Sequence, residues 1–260
     1  MKIAMQFTFL GTGTSQGVPV IGCTCAVCST RDSRDQRLRS SLLVNNQGRR
    51  ILVDPGPDLR QQLLREGVDN IEAILITHPH QDHVAGLDDI RPINFRQDLP
   101  MPVYGNPDTL RRLRQQYAYI FENAHYPGVP KLELRLLPSE PFSLAGIEIQ
   151  ALELRHGQIP VHGFRFENFT YITDANYLPP AAKEVIRGSE ILVLNALRHE
   201  PHHSHFTLAE ALAEADGLQI PRAYFTHISH HLGLHATVSA GLPAGRFLAY
   251  DGLRLSPDGH

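Results

Sequence analysis

The chain has 260 residues, 42% hydrophobic and 20% charged, with a formal net charge of −3 at pH 7. That length suits one large α/β domain or two small ones with a sizeable core, and the composition excludes a disordered or low-complexity chain. The slightly acidic balance argues against the basic face of a nucleic-acid-binding domain, and no apolar run approaches the ~20 residues that cross a bilayer.

In chain order, Met1 to Leu10 alternates polar and apolar residues and meets Gly11. This reads as a strand and not as a signal peptide, so a cytoplasmic protein is expected. Short runs of Val, Ile, Leu, Phe and Tyr bounded by turn residues predict strands at 6–10, 41–45, 50–53, 73–77, 102–104, 133–137, 147–154, 163–166, 170–173, 191–195, 223–226 and 248–250. Helices are predicted at 58–66, 86–94, 107–117, 180–186 and 207–216, the last with Leu208, Ala211, Leu212 and Ala215 on one face and Thr207 as its cap. No linker or internal repeat interrupts the alternation, and 1–260 reads as a single domain.

Five apolar runs end in a metal-capable side chain. Asp54 follows Ile51-Leu52-Val53, His78 follows Ile74 to Thr77, and His156 follows Ala151 to Arg155. Asp174 follows Tyr171-Ile172-Thr173, and His227 follows Tyr224-Phe225-Thr226. In layered α/β folds ligands gather beyond strand ends, where loops converge.

His78-Pro79-His80-Gln81-Asp82-His83 packs three imidazoles and a carboxylate into six residues. In an extended turn alternate residues point the same way, which pairs His78 with His80 at one ion. A helix starting near Asp82 turns Asp82 and His83 to a second. His156 would complete the first set and His227 the second, with Asp174 the natural bridging carboxylate. Asp54 suits a hydrogen bond that fixes a ligand ring. A lone histidine is more often an ordinary surface or core residue, but this hexapeptide with three partners on strand ends is not explained that way.

With Thr77 before it and Gly86 after it, this hexapeptide resembles the signature of the metallo-β-lactamase superfamily, and His156, Asp174 and His227 match its remaining ligand positions in order. The resemblance covers nearly the whole chain. It implies an α/β fold, a four-layer αββα sandwich, with two divalent ions, zinc or manganese, at one edge. Such a pair holds a bridging hydroxide against a scissile bond and neutralises charge on a phosphoryl or carbonyl oxygen. Asp82, a ligand, is with His205 also a candidate for catalysis.

Cys23, Cys25 and Cys28 fall within six residues. An odd, clustered set in a reducing compartment suggests metal rather than a disulfide, and three thiolates want a fourth ligand for a closed zinc site. His230 is the choice, which leaves His227 to the ion pair. Gly11-Thr12-Gly13-Thr14-Ser15-Gln16-Gly17-Val18-Pro19 followed by this cysteine motif resembles the PhnP-type branch. The best-known activity of that branch opens a phosphoribosyl 1,2-cyclic phosphate. The resemblance implies a structural zinc on three cysteines and a histidine, and a histidine beside the scissile phosphate, matched here by His205. An ordinary imidazole titration would suit His205 to protonate a leaving alkoxide or to steady the phosphate.

The stretches 86–94 and 117–130 depart from that enzyme and are expected to line the pocket, with Arg91 a candidate phosphate contact or else a helix-surface ion pair. Arg111, Arg112 and Arg114 read as a solvated helix face. The leading expectation is a phosphodiesterase acting on a small cyclic or diester phosphate. Alternatives are a thioester or lactone hydrolase, a tRNA 3′-processing nuclease, or a non-catalytic binding protein of cofactor biosynthesis, since the pyrroloquinoline-quinone branch has a similar cysteine motif. The expected partner is a small phosphate ester, with neither membrane nor nucleic acid implied and a homodimer left open.

Overall fold

Ile191–Asn195 is buried at every position, as strands are when covered on both faces, and its side chains divide by parity. Ile191 and Val193 enter one apolar core while Leu192 and Leu194 enter another. Ile51 and Val53 likewise part from Leu52. Two sheets whose inner faces share a core, with helices on each outer face, satisfy that demand.

The computed structural model describes residues 5–122 and 128–257. The first sheet holds β1 (Gln6–Gly11), β2 (Ser41–Asn46), β3 (Arg49–Val53), β4 (Ala73–Leu75), β5 (Met101–Gly105) and β6 (Leu132–Leu136). The second holds β7 (Phe142–Leu144), β8 (Ile147–His156), β9 (Ile159–Phe166), β10 (Phe169–Tyr171), β11 (Ile191–Asn195), β12 (Arg222–Thr226) and β13 (Arg246–Leu248). β14 (Arg254–Leu255) returns to pair with β1, giving the orders β14-β1-β2-β3-β4-β5-β6 and β13-β12-β11-β10-β9-β8-β7.

The helices are α1 (Ala26–Ser29), α2 (Leu59–Glu66), α3 (Gln81–Val84), α4 (Arg91–Gln97), α5 (Pro107–Gln116), α6 (Ala118–Glu122), α7 (Pro180–Ile186), α8 (Leu208–Gly217) and α9 (His235–Ala240). Leu59 and Leu63 of α2 and Leu113 of α5 pack on the outer face of the first sheet. Ala182 and Ile186 of α7 and Ala211 and Ala215 of α8 pack on the outer face of the second. This is the four-layer αββα sandwich.

Each sheet changes from antiparallel to parallel pairing partway across. The change falls at β3, antiparallel to β2 and parallel to β4, and at β10, antiparallel to β9 and parallel to β11. Asp54 directly follows β3 and Asp174 lies three residues beyond β10. Both carboxylates thus lie just beyond the carboxyl ends of strands, where ligand sites in layered α/β folds form.

Predicted and observed elements differ where local rules meet tertiary demands. The helix predicted at 86–94 is a 3-10 turn over Leu87–Ile90 followed by α4. Pro92 cannot donate a helical hydrogen bond and is tolerated only in a first turn, so α4 starts there. The strand predicted to run to 77 ends at Leu75, because Thr77 turns to bond Asp54. β8 includes His156 as its last residue, and β7 and β14 are too short for an alternation to show. Thr207 caps α8, and Glu210 closes the capping box. Among the described residues no helix is long and apolar enough to cross a membrane.

Candidate metal centre

Three of the residues that the strands deliver have left-handed backbones: Asp54 at φ 57°, Asp174 at φ 40° and His227 at φ 55°. Side chains other than glycine pay for that conformation, and such outliers concentrate at functional sites. The loops are then locked at close range. A Cβ on Gly56 would lie 2.3 Å from the Asp82 carbonyl oxygen, and one on Gly86 2.1 Å from the Gly56 carbonyl oxygen. Only glycine permits this approach of the loop after Asp54 to the turn that carries Asp82 and His83.

Asp54 organises the histidines. Its carboxylate accepts from the Thr77 backbone N–H at 2.8 Å, from the Thr77 hydroxyl at 2.7 Å and from His83 Nδ1–H at 2.8 Å. The Thr77 hydroxyl spends its proton on Asp54 and so accepts from His78 Nδ1–H at 3.0 Å. His156 Nδ1–H donates to the Ser204 carbonyl at 2.7 Å. In all three rings the proton is fixed on Nδ1, and Nε2 is left as a lone pair turned inward.

Those lone pairs converge. His78 Nε2 lies 2.9 Å from His80 Nδ1 and 3.7 Å from Asp174 Oδ2. His83 Nε2 lies 3.1 Å from Asp82 Oδ2 and 3.4 Å from Asp174 Oδ2, yet it is buried and has no hydrogen-bond partner. His227 Nδ1 lies 2.8 Å from Asp174 Oδ1. Two donor sets result, His78–His80–His156–Asp174 and Asp82–His83–Asp174–His227, each with its donor atoms within 4.8 Å of one another. They share Asp174.

Buried carboxylates facing imidazole lone pairs need positive charge between them. Burial resists ionisation of Asp174, but the His227 and His83 rings hold it well below the usual carboxylate range. Burial likewise opposes a charged His83, but Asp82, Asp174 and Asp54 overcome it and hold that ring well above its ordinary value, so its Nε2 draws either a second proton or a cation in the proton's place. A divalent cation meets this requirement more completely than one shared proton, and the donor chemistry fits zinc or manganese.

The cysteine cluster has its own geometry. The Sγ atoms of Cys23, Cys25 and Cys28 lie 3.3, 3.4 and 3.4 Å from His230 Nδ1. Zinc bonds of ~2.3 Å to sulfur and ~2.0 Å to nitrogen give a tetrahedral edge of about 3.5 Å, so these four atoms are spaced for zinc. The Cys28 backbone N–H, followed by His230, lowers the Cys25 thiol to about 6, whereas burial lifts Cys28 to about 11. His230 is three residues from His227, and that loop is stitched to the N-terminal turn by Ile228 N–H to Thr12 O and Thr14 N–H to Ile228 O.

His205 is buried against the cluster, its ring 4.5 Å from that of His156 and 4.8 Å from that of His227. Burial pushes its pKa down to about 2, against the pull of Asp174. The ordinary titration expected from sequence is therefore corrected. The ring is neutral, because the pocket that places it beside the ligands also strips it of water.

Arg91 takes the second of its two expected roles: its guanidinium pairs with Asp88, three residues earlier, at 2.6 Å and donates to the Gly128 carbonyl at 3.2 Å. Arg111 and Arg112 pair with Asp108 on an exposed face, and Arg114 lies over the Phe121 ring. Of the stretch expected to line the pocket, Tyr117 donates to the Val84 carbonyl and Tyr119 to Asp88, while 123–127 lie outside the described residues.

Of the residues that support the ligands, Thr12 and Thr14 fall in the motif at 11–19, whereas Ser40, Arg37 and Asp251 carry no local sequence signal. Thr14 Oγ1 and Ser40 Oγ each lie 3.3 Å from a His227 ring nitrogen. Behind them the buried Arg37 donates to Thr12 Oγ1, the Ala249 carbonyl and His235 Nδ1. Asp251, pushed up to about 6 by burial, accepts from Thr12 Oγ1 and the Leu38 backbone N–H. These partners lie up to 239 residues apart in sequence.

The profile of the family described as "Beta-lactamase superfamily domain" matches residues 49–228, and the chain belongs to that superfamily. The recognised branch within it is PhnP-like: a solved structure described as a new diphosphatase from the PhnP family is 42% identical, with a TM-score of 0.91 over 97% of each chain. Among curated proteins, an octanoyltransferase of Porphyromonas gingivalis is 38% identical over 257 residues, 98% of this chain and 52% of its own length. Coenzyme PQQ synthesis protein B of Methylorubrum extorquens is 35% identical over 120 residues, 41% of this chain and 38% of its own. The chain thus spans about half, or less, of the curated relatives it matches.

Proposed function

We propose that this metallo-β-lactamase-fold hydrolase is a phosphodiesterase acting on a small cyclic or diester phosphate, with a diphosphate ester among the candidates. The observation that carries the reading is the buried His83 Nε2 facing Asp82 and Asp174 with no hydrogen bond, between two donor sets that share Asp174. The likeness to a PhnP-family diphosphatase supports phosphorus over carbon as the centre attacked.

His78, His80, His156 and Asp174 would hold one divalent ion, zinc or manganese, and Asp82, His83, Asp174 and His227 the other, with a structural zinc on Cys23, Cys25, Cys28 and His230. Such a pair, when bound, acidifies water and neutralises charge developing on phosphoryl oxygens. The chain's own groups do the rest. Asp54 keeps the His83 proton on Nδ1. Asp82 is held ionised by His83 against the effect of burial, so its outer oxygen can take the proton of an attacking water. His205 offers a neutral N–H to a phosphoryl oxygen. The reading takes 1–260 as one domain, a small phosphate ester as partner, and the cytoplasm as location, where the thiols stay reduced for zinc.

The test is a panel of cyclic phosphates, linear diesters, diphosphate esters and acyl thioesters. The phosphorus esters are expected to turn over and the thioesters not; preference for thioesters would overturn the reading. One observation favours that second reading, the octanoyltransferase name of a relative twice this length. On the phosphodiesters, His205→Ala is expected to lower kcat/KM by roughly 100-fold, as loss of a hydrogen bond to charge does. The loss should be equal for good and poor leaving groups. A loss that grows with leaving-group pKa would instead make His205 a proton donor.

A further inference from the structure

The loop between β11 and α8 carries His199, His202, His203 and His205, and the proposed function uses only the last. His199 Nε2 is spent on the Leu232 carbonyl at 3.0 Å. His202 is different. The Ser204 backbone N–H donates to its Nδ1 at 3.4 Å, and the Ser204 hydroxyl lies 3.3 Å from the same nitrogen. A ring nitrogen that accepts from a backbone N–H carries no proton, so the proton of the neutral ring is on Nε2. Among the described residues nothing accepts it.

His202 is placed for use. Its ring lies 5.1 Å from that of His205, which in turn lies against His156 and His227. A row of imidazoles thus runs from the ligand sets through buried His205 to half-buried His202. The loop beneath is held at several points. Asn176 accepts from the Gly157 N–H at 2.8 Å and donates to the His203 carbonyl at 3.1 Å, while the Ser204 carbonyl takes the His156 proton. Phe206 N–H bonds Ala175 O at 2.9 Å. Burial, with His203 and Arg198 nearby, keeps His202 below its ordinary value, so the donor is uncharged.

We infer that His202 is a substrate-binding residue whose Nε2–H holds an oxygen on the leaving-group side of the scissile phosphorus. A second phosphoryl group, as in a diphosphate diester, is the ligand that fits. It puts an anionic acceptor oxygen one group away from the phosphorus, matching the step from His205 to His202, whereas an unsubstituted alkyl or aryl leaving group offers no acceptor there and a sugar offers only uncharged hydroxyls. In that reaction water adds to one phosphorus, the bond from it to the bridging oxygen breaks, and the second phosphoryl group leaves with the bridging oxygen. A neutral donor also binds the departing product less tightly than an ammonium would. The inference rests on the phosphodiesterase reading and names its substrate class.

The test compares His202→Ala, His202→Asn and His202→Gln in the metal-loaded protein, on P,P′-diphenyl diphosphate and on bis(p-nitrophenyl) phosphate. Asparagine keeps an acceptor for Ser204 where Nδ1 stands but loses the outward donor, whereas glutamine places an N–H near the position of Nε2. Alanine and asparagine are each expected to raise KM for the diphosphate about tenfold, with kcat within about twofold, as loss of one hydrogen bond predicts. Glutamine should restore KM, and the monophosphate diester should be unaffected throughout. An asparagine variant with wild-type KM, an equal loss on both substrates, or no wild-type turnover of the diphosphate would overturn the inference while leaving the phosphodiesterase reading in place. Failure of the wild type on both compounds would remove both.

Discussion

His80→Ala is expected to abolish hydrolysis of bis(p-nitrophenyl) phosphate, lowering kcat/KM by at least about 1000-fold, a loss of ~4 kcal/mol of transition-state stabilisation. The reason is its position. His80 is the half-exposed outer member of the first donor set, its Nδ1 2.9 Å from His78 Nε2, and it makes no capping bond to α3. Removing it strips one donor in four from that set and leaves the buried Asp54–Thr77–His83 network untouched. The fold should survive, with Tm changed by only a few degrees. Asp82→Ala should do the same through the second set. Turnover at the wild-type rate in either variant, measured on protein with native circular dichroism, would contradict a two-ion site.

Cys25→Ala is expected to act on stability first. Ligation of a closed zinc site is folding free energy, because the unfolded chain offers no assembled ligands. Loss of one thiolate here should cost about 3–5 kcal/mol, lowering Tm by roughly 10 °C in a chain of this size. Elemental analysis should show one zinc fewer per chain. Activity should fall less than stability, since the effect reaches the ion pair only through the loop joining His230 to His227 and its bonds to Thr12 and Thr14. Unchanged zinc content in this variant would show that the cysteines hold no metal.

The parts legible in the sequence are those whose chemistry is local. His78 to His83 lie within one turn and Cys23 to Cys28 within another, so spacing alone shows which side chains can share an ion. Asp54, His156, Asp174 and His227 stand out through a second regularity, a polar ligand type beyond an apolar run, which reflects sheet architecture. What depends on distant neighbours was not legible. Nothing in the sequence says that the Gly128 carbonyl takes up Arg91, that burial keeps His205 neutral, or that Ser204 turns the proton of His202 outward. The left-handed backbones of Asp54, Asp174 and His227 are likewise imposed by loops that meet only in the folded chain.

The sharing of Asp174 by two donor sets is also what fixes the spacing of the ions the site would hold. A carboxylate can serve two cations only when they are near neighbours, and hydrolytic ion pairs stand roughly 3.5–4 Å apart. Asp174 Oδ2 faces His78 of one set and His83 of the other while Oδ1 faces His227, so one carboxylate addresses both sets.

Anomalous diffraction from crystals of the metal-loaded protein, recorded across the zinc and manganese absorption edges, addresses this most directly. Three peaks per chain are predicted, two about 3.5–4 Å apart astride the Asp174 carboxylate and a third enclosed by Cys23, Cys25, Cys28 and His230. A single peak at the cysteines, with nothing beside Asp174 at saturating metal, would contradict it.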